Sequence, residues 1–210
     1  MTAFAPELAV SRWFNAARPL SLAGLRGKTV VLHAFQMLCP GCVMHALPQT
    51  ERLHRLFMNH PGVAVIGLHT VFEHHAAMTP VSLEAFIHEF RLSFPIGVDQ
   101  ASDNEAIPVT MRRFGMRGTP TTIIIDPAGR IVEHAFGQEE DLALGVLLGS
   151  LIARAPMPDA ISASHAGCAE GACPAPTGEA ASSAEPDPGY LSALSHPSGW
   201  WPPTLRVLRQ

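Results

Sequence analysis

Apolar residues recur in two ways along the first three quarters of the chain. Short unbroken runs rich in β-branched residues predict buried strands, and longer segments with apolar residues at helical spacing predict helices. Four strands are predicted, at about 29–35, at 63–69, in the run directly after Pro120, and at about 131–136. Helices are predicted at about 40–58, 104–114 and 139–154, and a further helix is predicted to begin with Ser82 as its cap.

The same pattern predicts how some of these elements pack. Residues 94–99 predict a short strand at the edge of the sheet, because Pro95 has no N–H to donate to a neighbouring strand. In the first long helix the apolar residues recur at roughly helical spacing, and in the last helix they predict the face that turns towards the core. Those positions are Val43, Leu47, Leu53, Leu56 and Phe57 in the first helix and Leu142, Val146, Leu147 and Leu151 in the last.

The composition changes at Ala155, beyond which Ala, Pro, Ser, Gly and Glu dominate for more than thirty residues. Such a segment buries too little apolar surface to order on its own. We therefore predict a folded domain over residues 1–154 and a largely disordered tail over residues 155–210. The tail carries a second pair of cysteines and an apolar terminus with two adjacent tryptophans.

The overall composition argues against several classes of partner. The chain has 47% hydrophobic residues, a formal net charge of −4 and no block of Lys and Arg, which disfavours nucleic acid and anionic membranes. No apolar run approaches the roughly 18 residues that a membrane-spanning helix needs. The first ten residues lack the basic and apolar regions of a signal peptide, so we expect a cytoplasmic location.

Candidate chemistry centres on the Cys-Pro-Gly-Cys motif of residues 39–42. The motif follows a predicted strand and opens a predicted helix, with Pro40 suited to the first helical position. A thiol at a helix N-terminus ionises more readily, and the thiolate is the attacking species in disulfide exchange. We therefore interpret Cys39 as the nucleophile and Cys42, one turn deeper, as the less exposed resolving thiol.

A structural zinc site is the alternative interpretation of this motif. A site built from four cysteines needs a second pair of similar spacing. Only Cys168 and Cys173 remain, and they lie in the tail. We expect neither a metal nor another cofactor at residues 39–42.

The motifs together resemble the thioredoxin superfamily, and within it the TlpA/ResA-like redoxins. The strand, the Cys-x-x-Cys motif and the later Gly-Thr-Pro-Thr of residues 118–121 occur in the family's order, over about residues 6–154. The resemblance implies a thioredoxin-like α/β fold, a three-layer α/β/α sandwich with a mixed central sheet. It also implies an extra helix and strand at about 70–99. Finally, it implies that Thr119 and Pro120 share a cis peptide facing the disulfide and bind an extended substrate.

Four positions depart from the family's pattern. Leu38 replaces a common Trp, His45 replaces a common Glu, and Pro48 comes one residue later than the usual helix proline. His33 stands where thioredoxin has a buried acid. As an imidazole it suits proton transfer near neutral pH, so it either accepts the proton of Cys42 or is a buried neutral side chain bonded to backbone.

The leading functional prediction is a thiol–disulfide oxidoreductase whose partners are protein thiols or disulfides and a source or sink of electrons. A peroxiredoxin-like peroxidase is an alternative, although Gln36 stands where that chemistry usually has Thr or Ser. A metal-carrying, copper-chaperone-like protein is another, with His69 or His75 as the distant ligand. Such relatives prefer three residues between the cysteines, and here there are two.

The tail cysteines allow three interpretations. Cys168 and Cys173 lie close enough to Cys39 along a flexible chain to act as an internal electron relay. They are otherwise two exposed thiols without a part in turnover, or a weak metal site with His165.

Overall fold

The computed structural model describes residues 3–154, in which six strands form one sheet with helices on both faces. The three-layer thioredoxin-like fold is thereby confirmed. A 3₁₀ helix at Ala23–Leu25 lies in the lead-in. The strands are β1 (Val10–Phe14), β2 (Thr29–Phe35), β3 (Val63–His69), β4 (Ile96–Asp99), β5 (Thr121–Ile125) and β6 (Ile131–Phe136), and the helices are α1 (Leu47–Phe57), α2 (Pro80–Glu89), α3 (Val109–Arg113) and α4 (Asp141–Arg154).

The sheet is mixed, and its order is β1-β4-β3-β2-β5-β6. Strands β2 and β3 run parallel, with Phe35 opposite His69, whereas β5 runs antiparallel to β2, with Ala34 opposite Thr121. The carboxyl end of β2 therefore meets the beginning of β5. This arrangement brings the segment after β2 beside the segment before β5.

Strand β4 is not an edge strand, so that prediction is wrong. It lies between β3 and β1, and β1 pairs with it in the antiparallel direction. Pro95 precedes the strand and only accepts, through its carbonyl oxygen, a hydrogen bond of 2.8 Å from the N–H of Gly67. Its missing N–H therefore interrupts no pair. The extra helix and strand expected between residues 70 and 99 are α2 and β4.

Alternate residues of β2 supply the cores on the two faces of the sheet. On one face, Val30, Leu32 and Ala34 belong to a buried cluster that includes Met111 of α3 and the following Phe114. On the other face, the clusters join residues of β2 to Cys42 and Leu47, to α2 and to α4. Because β2 is buried along its full length, both ends of the strand are fixed in position.

The predicted inner face of α4 is wrong at two positions. Leu142 is 82% exposed and Val146 is 67% exposed. In α4 the buried residues are Leu144 and Leu148 instead. The helix carries leucines around much of its circumference, so spacing alone does not decide which side faces the sheet.

Two helix starts also differ from the prediction. Helix α2 begins at Pro80, because the hydroxyl of Thr79 caps it by accepting a 3.2 Å hydrogen bond from the N–H of Ser82. Helix α3 begins only after Pro108, which leaves the predicted residues 104–108 outside the helix. Among the helices of residues 3–154, none is both long and apolar enough to cross a bilayer. The predicted tail and its cysteines lie outside the described residues.

Candidate active site

The two cysteines of the motif lie where the chain passes from β2 into the helix of residues 40–57, which includes α1 and is called the redox helix below. The helix begins at Pro40, and the N–H of Val43 donates a 3.0 Å hydrogen bond to the carbonyl of Cys39. Cys39 is half-buried and Cys42 is fully buried, and both are free thiols. The expected difference in exposure is therefore present, and only Cys39 offers its sulfur to a partner.

The Cys39 sulfur sits among backbone groups from both sides of the site. The N–H of Cys42 donates a hydrogen bond of 3.4 Å to the Cys39 sulfur. The S–H of Cys39 donates one of 3.6 Å to the carbonyl of Thr119. The same sulfur is thus tied to the motif and to the loop before β5.

Cys42 lies in an apolar cluster that includes Phe35, Met37 and Leu47. Burial and the hydrogen bond with Cys39 raise the pKa of the Cys42 thiol to about 12. The backbone N–H of Gln36 and the hydroxyl of Thr119 act in the opposite direction, although more weakly. The Cys42 thiol is therefore protonated at neutral pH. Before its sulfur can attack a mixed disulfide at Cys39, another group must accept its proton.

The Thr119–Pro120 peptide is cis, as the resemblance implies. Pro120 faces the motif, because a Cβ added at Gly41 would lie 3.5 Å from the Cδ of Pro120. The carbonyl of Pro120 accepts a 2.8 Å hydrogen bond from the N–H of Gly137, just beyond β6. Three separate segments of the chain therefore meet at this proline.

His33 lies on the face of β2 that carries Val31 and Phe35 and packs beneath the helices. Its Nδ1 is 3.2 Å from the hydroxyl of Thr122, and its Nε2 has no partner among the described residues. Burial lowers the pKa of His33 to about 4, so the imidazole is neutral near pH 7. The partner of His33 is a side chain, which corrects the expectation of a bond to backbone.

The redox helix contains a wide turn directly after the motif. Residues Cys42–Ala46 form a π-helical turn, in which the N–H of Leu47 bonds to the carbonyl of Cys42. A π-turn holds one residue more than an α-helical turn. Pro48 follows this wide turn in the first turn of α1.

The other positions that the sequence singles out differ in burial. Leu38 and His45 are exposed, and Gln36 is buried, with an Nε2 that lacks a partner among the described residues. His69 is buried and His75 is exposed. Within residues 3–154, no three His, Cys, Asp or Glu side chains are grouped to hold a metal.

Two contacts at the site had no sequence signal. The ring of Phe136 packs so closely on Gly118 that a Cβ there would lie 2.9 Å from its Cε2 atom. The guanidinium of Arg117 lies 5.1 Å from the centre of the same ring. Both contacts depend on the pairing of β5 with β6, which sequence spacing does not specify.

Comparisons with known proteins agree with this geometry. The AhpC/TSA family matches residues 2–134. The thiol-disulfide oxidoreductase ResA of Halalkalibacterium halodurans is 29% identical over 124 residues, which cover 59% of this chain and 62% of that relative. The chain thus matches less than two thirds of the length of the ResA protein.

Two solved structures are more similar in sequence. A thioredoxin-like superfamily protein is 53% identical, with a TM-score of 0.70 and coverage of 73% of this chain and 99% of that one. A thiol-disulfide isomerase from Corynebacterium glutamicum is 50% identical, with a TM-score of 0.66 and coverage of 70% and 96%. The chain belongs to the AhpC/TSA family within the thioredoxin-like superfamily, among the TlpA/ResA-like redoxins.

Proposed function

We propose that this protein is a thiol–disulfide oxidoreductase that exchanges disulfides with other proteins through Cys39 and Cys42. The observation that carries the proposal is the placement of one half-buried sulfur, Cys39, against Thr119 and above a buried second thiol. The names of the ResA and isomerase relatives support the same chemistry.

The proposed reaction is two successive thiolate attacks. The Cys39 thiolate attacks one sulfur of a partner disulfide, which forms a mixed disulfide and releases the partner's other sulfur as a thiolate. The Cys42 thiol then gives up its proton, which the partner thiolate released in the first step takes up. The Cys42 sulfur attacks the Cys39 sulfur, which closes the Cys39–Cys42 disulfide and releases the second partner thiolate. Two electrons pass from this dithiol to the partner, and a second dithiol protein returns the oxidised pair to the reduced state.

Thr119 and Pro120 are the proposed substrate-binding residues. Within residues 3–154, the N–H of Thr119 donates to no acceptor, while the carbonyl of Pro120 is already bonded to Gly137. An extended segment of the partner therefore finds one free donor beside the Cys39 sulfur. Strand addition of this kind gives affinity through main-chain hydrogen bonds.

The proposed roles are tested with single-cysteine variants. We expect Cys42→Ser to accumulate a mixed disulfide with an oxidised protein such as insulin, because the attacking sulfur remains and the resolving one is gone. Cys39→Ser, the matched control, should form none, since its remaining thiol is buried. Equal trapping by both variants would contradict the assignment. Peroxide consumption and metal content, measured on the same preparation, separate this function from the peroxidase and metal-carrying alternatives.

A further inference from the structure

An exposed arginine stands at the start of the loop that carries the cis-proline. Arg117 lies two residues before Thr119, whose carbonyl accepts the hydrogen bond from the Cys39 sulfur. Two residues of chain span at most about 7 Å, so the backbone of Arg117 lies beside the proposed position of the substrate. The side chain of Arg117 forms no ion pair with another residue of 3–154.

The ring of Phe136 fixes where the guanidinium of Arg117 lies. The guanidinium is over this ring, 5.1 Å from its centre. The ring in turn packs against Gly118, where a Cβ would lie 2.9 Å from it, and the carbonyl of Gly118 accepts a 2.7 Å hydrogen bond from the hydroxyl of Thr121. A cation over an aromatic face is held by the charge of that face, which leaves the N–H donors of an arginine for a carboxylate.

The ring and the nearby acid of β6 lie on opposite faces of the sheet. Phe136 pairs with Thr121, which shares a face with Ile123 and therefore with the cluster that includes Met111 of α3. Glu133 pairs with Ile124, which belongs to the cluster on the α4 face. The sheet therefore separates the guanidinium of Arg117 from this carboxylate.

The segment that leads to the cis-proline is basic, although the chain has a net charge of −4. Residues 112–118 contain three arginines and no acid. Arg112 pairs with Glu105, and Arg113 donates a 3.0 Å hydrogen bond to the carbonyl of Glu7. Among residues 3–154, Arg117 is thus the one of the three whose N–H donors are not already directed at an oxygen.

We propose that Arg117, held over Phe136, is a specificity-determining residue that binds an aspartate or glutamate close in sequence to the reactive cysteine of a partner. This inference rests on the proposed function, because it names the class of substrate that the same site selects. A partner segment that bonds to the N–H of Thr119 runs alongside Arg117. Side chains two residues apart on an extended segment are about 7 Å apart, so an acid at about that spacing from the cysteine reaches the guanidinium.

The test uses two peptides of identical composition, each closed by one disulfide. In the first, glutamates stand two residues from the cysteines and lysines stand at the ends; in the second, these positions are exchanged. Their equal net charge makes the protein's overall charge act equally on both. The measured quantity is the second-order rate constant for reduction of each peptide by the reduced protein. Division by the rate constant of the same peptide with dithiothreitol removes the difference in intrinsic reactivity.

We expect the wild-type protein to prefer the first peptide about threefold at low salt, and less at high salt. Arg117→Gln should abolish the preference, and Arg117→Glu should reverse it. Phe136→Leu, which removes the ring and keeps the guanidinium, should give an intermediate ratio. The matched control is Arg18→Gln, which removes the same charge at an exposed position of the lead-in and should keep the wild-type ratio.

Three outcomes overturn the role of Arg117 while leaving disulfide exchange in place. They are a wild-type protein without a preference, a wild-type ratio retained by Arg117→Gln, and an equal loss of preference in Arg18→Gln. A wild-type ratio retained by Phe136→Leu overturns the part of the ring. If neither peptide is reduced, the proposed function itself fails, and the inference about Arg117 fails with it.

Discussion

His69 is an unusual side chain for the place that it occupies. It is 1% exposed at the end of β3, and its ring lies 5.3 Å from that of Phe35. Neither ring nitrogen has a partner among the described residues. Buried polar atoms without partners cost about 1–3 kcal/mol of stability, so this histidine is expected to weaken the fold at every pH.

The cost grows as the pH falls. Burial lowers the pKa of His69 to about 4, from an ordinary value of 6.5, so the unfolded chain binds its proton first. Stability is retained above pH 6.5 and is lost progressively as the pH falls towards 4. The difference between these two pKa values corresponds to about 3 kcal/mol of stability in full, of which about 2 kcal/mol is lost at pH 5.

His69→Leu removes both effects with a side chain of similar size. We expect the variant to be about 1 kcal/mol more stable than the wild type at pH 7.5. At pH 5 its advantage should reach about 3 kcal/mol, because its leucine takes up no proton in the unfolded chain. Urea unfolding followed by circular dichroism, at half-unit steps between pH 4.5 and 7.5, measures both differences.

The control is His75→Leu, which makes the same change at an exposed position. It should follow the wild-type dependence on pH. The reasoning is refuted if His69→Leu is less stable than the wild type throughout, or if its advantage stays constant between pH 7.5 and 5. His33 keeps its own dependence in this variant, so stability should still decline with acid, only less steeply.

Three further substitutions test other parts of the structure. His33→Ala should slow reduction of the Cys39–Cys42 disulfide or alter its pH profile, and an unchanged rate from pH 6 to 9 would exclude His33 from the mechanism. Gly67→Ala should destabilise the fold by about 1–3 kcal/mol, because the added Cβ would lie 2.6 Å from the ring of Phe94. Adding Phe94→Leu to this variant should restore part of the lost stability, measured by thermal unfolding. Thr79→Ala should cost about 1 kcal/mol in urea unfolding, because it removes the cap of α2.

Local patterns in the sequence were sufficient to predict the elements that form the site. The run of residues 29–35 before Cys39 is apolar and β-branched throughout, without helical spacing of its apolar residues, so β2 begins and ends where predicted. The motif and the later Thr119–Pro120 follow the family's order, and the cis peptide that this resemblance implies is present. The strand and the motif depend on neighbours within a few residues of one another.

Features that depend on distant contacts were not predicted. The pattern could not show that β1 would cover β4, because that pairing joins residues about 85 positions apart. It could not show which leucines of α4 face the sheet, since leucines occur on several sides of that helix. The hydrogen bond between the side chain of Gln49 and the carbonyl of Glu139 was missed for the same reason, because about 90 residues separate the two.

The antiparallel pairing of β2 with β5 has a consequence for how the protein is made. The cysteines emerge from the ribosome some eighty residues before the proline that faces them. A growing chain that stops short of residue 120 therefore lacks the Thr119–Pro120 segment, which in the folded protein covers one side of the two thiols. During that interval the nascent protein is open to unselective oxidation, and only completion of the sheet makes the sulfur a selective one.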